Sequence, residues 1–332
     1  DIIRATEEAI ARANRRAGRE KYLLLHRARQ LQPCEGRYMG RERKRGALNA
    51  LNQLLLTGEN TFCQENASAL AGRFAFVVTL DAGTRMLPGT VLKLIGALAH
   101  PLNRPHLNPD GSRGGFAILA PHMELPADAV SSRFIRLYGG RGGIDSYPTA
   151  VSDLYQDLCG QGIFGGKGIY DVAAFEAAVS GKLPDNAILS HDLIEGLLAR
   201  AGFLSDIALY DGHPRTFRAF FMRLNRWTRG DWQLLPLLTR RGLHLRALDR
   251  YKIIDNLIRS LIAPVQMLLL YGAFYLRCAP LALLGLLPVL LPMVMYPRWT
   301  KDDWMRALTR LAMLPQETHA QLSAIGRSLW RM

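Results

Sequence analysis

The sequence predicts an α/β fold, a mixed or mostly parallel sheet flanked by helices and followed by an apolar, membrane-spanning helical hairpin. Three observations carry that expectation. Phe74-Ala75-Phe76-Val77-Val78-Thr79-Leu80 is aromatic and β-branched, and it is bounded by Gly72 and an Asp81-Ala82-Gly83 turn, as a buried strand requires. Helical and strand patterns then alternate through residue 210. From Ser260 to Pro297 the sole formal charge is Arg277.

In chain order, residues 2–17 place Ile2, Ala5, Ala9, Ile10 and Ala13 at a helical period, with Gly18 as a stop. Tyr22 to Leu25 reads as a short buried strand, Pro33 to Gly40 as a loop, and Arg41 to Leu56 as a second helix entered through a basic cluster. After the strand at 74–80 come a helix at about 88–99 and a Pro- and Asn-rich loop at 101–110. A strand at Phe116–Leu119, a glycine-rich region at 138–148 and a helix at 171–180 follow. The charge-poor run divides at Arg277-Cys278-Ala279-Pro280 into segments of about 17 and about 20 residues, close to the roughly 20 a bilayer needs. Arg250, Lys252 and Arg259 before it, with Arg298 and Lys301 after it, would hold both ends in the cytoplasm. Residues 299–332 combine Trp299, Trp304 and Trp330 with leucines at helical spacing, which suits a helix at a membrane surface or one packed on the protein.

The chain has 332 residues, enough for a full core, and a net charge of +14. Half of that charge lies in residues 1–50, where thirteen Lys/Arg face six Asp/Glu. Such a balance suits anionic lipid, nucleic acid or a phosphorylated small molecule. No nucleic-acid motif or interleaved aromatic platform accompanies it, so nucleic acid is not expected. Four scattered cysteines without CxxC spacing argue against a zinc site or a disulfide framework. The opening at Asp1, with no leader pattern, is expected of a piece of a longer protein.

Several residues could carry chemistry. Lys44 and Arg45 sit beside Gly46 at a helix start, where backbone N–H groups favour a diphosphate; a solvated basic helix end has the same composition. Asp81 directly follows the strongest strand, where ligands of open α/β sheets bind, although an Asx turn places an acid there too. Asp192 follows Ser190, a good N-cap, so it is either an ordinary first-turn acid or a general base. His191 reads as a turn residue. Arg226 offers a phosphate fork and Trp227 a flat apolar face for a sugar ring.

Read in order, these stretches resemble the family-2-like glycosyltransferases of GT-A fold, and most closely the glycosyltransferase domain of cyclic β-1,2-glucan synthases (glycosyltransferase family 84). The carrying pieces are Glu42-Arg43-Lys44-Arg45-Gly46 with Leu48-Asn49, Thr79-Leu80-Asp81-Ala82, and Ala99-His100-Pro101-Leu102-Asn103-Arg104-Pro105. Next come Gly143-Ile144-Asp145, Ala150-Val151-Ser152-Asp153-Leu154-Tyr155-Gln156-Asp157 and Gly166-Lys167-Gly168-Ile169-Tyr170-Asp171-Val172. Leu189-Ser190-His191-Asp192-Leu193 and Arg226-Trp227 with Arg229-Gly230-Asp231-Trp232-Gln233 close the set. The resemblance implies a UDP-glucose donor, a growing β-1,2-glucan acceptor and an inverting single displacement. It implies Asp192 as the base, and Lys44, Arg45, Asp81, Arg226 and Arg229 as donor and diphosphate contacts. Trp227, Trp232 and Asp153 would be acceptor contacts. Arg223 stands where the family's Gln-x-x-Arg-Trp motif has glutamine. Asp81 would be the first acid of an Asp-x-Asp motif holding Mg²⁺ or Mn²⁺, but Gly83 replaces the second acid and brings no ligand atom.

The organisation expected is thus a GT-A-like core over residues 1–255, lacking its first strand-helix-strand unit. Two transmembrane helices over 256–298 and an interfacial helix over 299–332 would follow. The resemblance implies a bacterial inner membrane, with lipid as a partner and the core in the cytoplasm. Gly83 motivates one alternative, a degenerate relative that binds nucleotide sugar or glucan without transfer.

Overall fold

The computed structural model describes residues 2–32, 36–107, 113–126, 133–138, 153–185, 187–295 and 300–332. Gly143-Ile144-Asp145, Ala150-Val151-Ser152, the glycine-rich stretch at 139–148 and Trp299 lie outside the described residues. The chain divides into two units. One comprises Asp1–Val77 with Asp171–Asn186, the other Val78–Tyr170 with Ala187–Met332.

In the first unit, helix α1 (Ile2–Ala17) ends at Gly18, which adopts φ 66° as a helix stop does. The expected strand at Tyr22–Leu25 does not form. Its backbone is engaged by a side chain instead: Asn14 Oδ1 accepts from the Lys21 and Tyr22 N–H groups, and Asn14 Nδ2 donates to Tyr22 O. The loop expected at 33–40 contributes to a small antiparallel hairpin of β1 (Gln30–Gln32) and β2 (Arg37–Met39). Helix α2 (Arg43–Thr57) appears as expected and packs on α6 (Val172–Val179), where Asn52 and Gln53 both donate to the Glu176 carboxylate.

The sheet has four strands in the order β3 (Phe76–Thr79), β7 (Gly168–Asp171), β6 (Ile118–Glu124), β8 (Ala201–Tyr210), and the unit boundary runs through β3 and β7. It is a mixed sheet, within the expectation: β7 runs antiparallel to β6 while β8 runs parallel to it. A register shift between Pro121 and His122 lets β8 extend to Tyr210 opposite Glu124. The core of this region is apolar and sealed: Ile118, Ile169, Ala201 and Leu209 are fully buried. Helix α3 (Thr90–Ala99) packs on β6 and β8 through Leu94 and Leu98. A second small hairpin, β4 (His106–Leu107) with β5 (Arg113–Gly114), interrupts the loop expected at 101–110. Short helices α4 (Arg133–Tyr138), α5 (Leu154–Cys159) and α7 (Asp192–Leu198) complete the sheet region, and α8 (Phe217–Trp232) follows.

Beyond α8, helix α9 (Ala247–Arg259) meets α10 (Ile262–Leu276) at a bend of 43°. Helices α10 and α11 (Ala279–Met295) form a hairpin whose turn is Arg277, in the left-handed conformation at φ 50°. The expected break at Arg277 is therefore present. At about 1.5 Å per residue these helices run roughly 22 and 26 Å, short of the roughly 30 Å hydrocarbon core. Among the described residues no single helix is long and apolar enough to cross a membrane, although α9 and α10 pass that test together. Helix α12 (Lys301–Arg331) is entered through a capping box of Thr300 and Asp303 and contains Pro315. It packs along α8 and α10, so one of its faces is committed to protein.

Candidate active site

Asp81 is carried two residues past the end of β3 in a tight turn. Its carbonyl accepts from Thr84 N–H at 3.0 Å, and its own N–H donates to Thr84 Oγ1 at 3.3 Å. A two-hydrogen-bond bridge between Arg85 and Tyr210, 2.7 and 2.8 Å, clips this turn to the end of β8. Asp211, the next residue, is thereby delivered beside it. A Cβ built on Gly83 would lie 3.8 Å from Asp211 Oδ1. The side missing its acid in sequence therefore faces an acid supplied from another strand.

Lys167 joins the two carboxylates. Its Nζ lies 2.7 Å from Asp211 Oδ2 and 3.2 Å from Asp81 Oδ2, with only 10% of the side chain exposed. Burial alone would push this ammonium's pKa down. The hydrogen bond and charge of Asp211, then those of Asp81, outweigh it and raise the group above the ordinary lysine value. Both flanking residues adopt the positive φ that favours glycine. Gly168 at φ 148° would drive a Cβ to 2.3 Å from Leu119 O. Gly166 at φ 79° would drive one to 2.6 Å from Asp192 Oδ1. The Asp192 carboxylate thus lies against the Gly166 backbone, one residue from the lysine that pairs with Asp81. The structure brings Asp81 and Asp192 to the same dipeptide.

Asp192 opens α7 and its side chain is about one-third exposed, so an incoming hydroxyl can reach it. The expected N-cap role of Ser190 is not observed; His191 occupies the cap without a side-chain hydrogen bond. Ser190 is used differently. A Cβ on Gly230 of α8 would come within 2.4 Å of Ser190 Cβ, so the helix rides directly on this residue. Gln233 Oε1 also accepts from Leu189 N–H at 2.8 Å. His191 is more than a turn residue: its Nδ1 lies 2.8 Å from Glu195 Oε2, a carboxylate 2% exposed, and 3.6 Å from Asp192 Oδ1. The ligand atoms of His191, Asp192 and Glu195 fall within 4.8 Å of one another, a donor set of a kind that can hold a metal ion.

Arg226 and Trp227 precede Gly230 by four and three residues, so they lie one turn back on the helix side that meets Ser190. Arg226 is exposed. The Trp227 ring is partly buried, with the Arg223 guanidinium 4.5 Å from its centroid. The arginine that replaces the family's glutamine therefore covers one face of the tryptophan. Asp231 and Trp232 turn toward α9 instead. Trp232 Nε1 donates to Ser260 Oγ at 2.8 Å, and Asn256 Nδ2 donates to Asp231 Oδ1 at 3.5 Å. Arg229 contributes its carbonyl to Ser328 Oγ of α12. Asp153 is 4% exposed and caps α5, accepting from the Tyr155 and Gln156 N–H groups.

Lys44 and Arg45 belong to the first unit. There Arg45 donates to the Glu42 carboxylate at 2.7 and 3.0 Å and to Pro184 O at 3.1 Å, with 12% of its side chain exposed. Three residues of the site carried no expected role: Lys167, Asp211 and Glu195. Asp211 obeys the rule that singled out Asp81, an acid just past a strand's carboxyl end. Lys167 stands between two glycines before a strand, a spacing that marks a constrained side chain.

No protein-family model matches the chain. Over 289 residues, 84% of its length, it is 40% identical to the cyclic β-(1,2)-glucan synthase NdvB of Rhizobium meliloti (strain 1021). The match takes in 10% of that much longer protein. At this identity, over all but a sixth of its residues, the chain is a relative of the cyclic β-1,2-glucan synthases.

Proposed function

We propose that the chain is the glucosyl-transferring part of a glucan synthase. It would use UDP-glucose to extend a β-1,2-glucan by a single inverting displacement. Asp192 accepts the proton of the acceptor hydroxyl as that oxygen attacks the anomeric carbon. The bond from that carbon to the diphosphate oxygen breaks, and UDP leaves with the electron pair. Asp81 and the Arg226–Arg229 turn of α8 receive the donor's nucleotide and diphosphate; Lys44 and Arg45 are basic candidates for a phosphate within the first unit, taken by itself. Trp227 offers its ring to the sugar. Trp232 and Asp153 already serve as a helix tie and a cap, so no acceptor contact is assigned to them. The apolar α10–α11 hairpin is read as the part seated in lipid, in a bacterial inner membrane.

One observation carries this reading: a partly exposed carboxylate rests against Gly166, next to a lysine paired with the acid at the strand end. The test is transfer from UDP-glucose to a β-glucan acceptor, with linkage analysis of the product. Asp192→Asn is expected to lower turnover by roughly 10²–10⁴-fold while UDP binding stays unchanged. Unchanged turnover would remove Asp192 from the mechanism. Gly83 favours a second reading, a binder without transfer, and UDP binding by the unaltered chain with no turnover would select it.

A further inference from the structure

We infer that the Lys167 ammonium takes the place of a divalent cation between Asp81 and Asp211, so that the donor's diphosphate is received without a metal ion at these acids. The inference rests on the donor reading above and deepens it. The family resemblance implies Mg²⁺ or Mn²⁺ at Asp81, but the residues present do not fit one. A hard divalent cation seeks six or more oxygen ligands, or few protein ligands and several waters in strict octahedral array. Gly83 supplies no ligand atom. The carboxylate that faces Gly83, Asp211, already meets Lys167 at 2.7 Å, and Asp81 meets the same ammonium at 3.2 Å. A metal ion there would have to displace a positive charge that is nine-tenths buried and pinned between two glycines of positive φ.

The arrangement has a workable charge logic. Two bare carboxylates would repel a diphosphate. One ammonium cancels one of those charges, and two of its three protons serve the carboxylates while the third can donate to a phosphate oxygen. A side chain fixed on both sides by backbone needs no reorganisation to do so, which is the advantage a resident metal ion also has.

The test is calorimetric titration of the chain with UDP in buffers containing MgCl₂, MnCl₂ or EDTA. UDP affinity is expected to agree within about twofold across the three buffers. Lys167→Met is expected to weaken it about tenfold or more, the scale of one charge-assisted hydrogen bond, and Lys167→Arg to keep most of it. A Cβ at Gly83 makes only an ordinary 3.8 Å contact with Asp211 Oδ1, and Gly83→Asp adds a third carboxylate, so UDP binding by this variant should become cation-dependent, weak in EDTA and recovered with MgCl₂. If Lys167→Met fails to fold, the EDTA comparison on the unaltered chain and on Gly83→Asp still decides. UDP binding by the unaltered chain that vanishes in EDTA and returns with MgCl₂ overturns the inference and leaves the donor reading standing. Full affinity in folded Lys167→Met also overturns it. No UDP binding in any buffer overturns the donor reading and this inference together.

Discussion

Gly166 makes the relation between backbone and chemistry testable at a single residue. Its φ of 79° alone would strain any side chain, at a cost of about 1–2 kcal/mol. Its Cβ would additionally fall 2.6 Å from the Asp192 carboxylate. Gly160 separates the two effects, because it has φ 62° with nothing within 4 Å of a built Cβ. Gly160→Ala should therefore lower the melting temperature and leave turnover per folded molecule alone. Gly166→Ala should lower both, with turnover down at least tenfold by displacement of the base. Equal turnover in the two variants would detach Gly166 from the site. At this scale the sequence was legible only in part. Asp81 and Asp192 stand out because strand ends and helix starts are where acids do chemistry. Lys167 and Asp211 do not, because an ion triad joining residues 81, 167 and 211 needs the sheet order before any of its members looks unusual.

Among the elements, α8 links the site to the rest of the second unit. Its N-terminus is capped by Thr216 Oγ1, its middle is tied to α12 by Asn225 donating to Ala320 O and Ser323 Oγ, and its last turns sit on Ser190. Helix propensity and tertiary contact make opposite predictions at Gly230. An isolated helix would gain about 1 kcal/mol from Gly230→Ala. In this chain the new methyl would meet Ser190 Cβ at 2.4 Å, and overpacking of that kind typically costs about 1–3 kcal/mol. The substitution should lower the thermal midpoint and reduce transfer, since it lifts the helix carrying Arg226 and Trp227 from the segment before Asp192. A raised midpoint with full turnover would show that α8 is not seated there. Strong local patterns were readable from sequence: α1, α2, α3, α6 and β3 lie within a few residues of their expected positions. The missing strand at Tyr22–Leu25 reflects competition for backbone hydrogen bonds. Tyr22–Leu25 has strand-like side chains, yet Asn14 holds the backbone at its start, and Cys63 and Gln64 hold His26 just beyond it. The direction of β7 depends on sheet pairing, which no local pattern encodes.

For the molecule as a whole, the α10–α11 hairpin is where exposure and charge disagree with life in water. Leu268, Phe274 and Tyr275 on α10 are 72%, 85% and 86% exposed, and Leu283 on α11 is 64% exposed. Contiguous apolar surface of this kind marks a partner or a lipid phase. Lys252 is buried and donates to Gln161 O and Gly162 O, but the exposed flanking residues Arg250, Arg259 and Lys301 and the +14 net charge favour an anionic lipid surface over an acidic protein patch. Helices of roughly 22 and 26 Å would seat in a bilayer without matching its full thickness unless α9 continues the span through the 43° bend. The opposing costs give a sign test. In water, Leu268→Asp with Leu283→Asp replaces exposed apolar groups and should change folding stability by no more than about 0.5 kcal/mol. In lipid, each aspartate should cost about 2.5–3.5 kcal/mol near the helix centre. The unaltered chain is thus expected to sediment with phosphatidylglycerol-containing vesicles, and the double variant to remain in the supernatant with an unchanged melting curve. Substituting phosphatidylcholine vesicles tests the charge component separately, since apolar insertion should persist there at reduced affinity. Sedimentation of the double variant at the level of the unaltered chain would place this hairpin outside the lipid and return its apolar face to a protein partner.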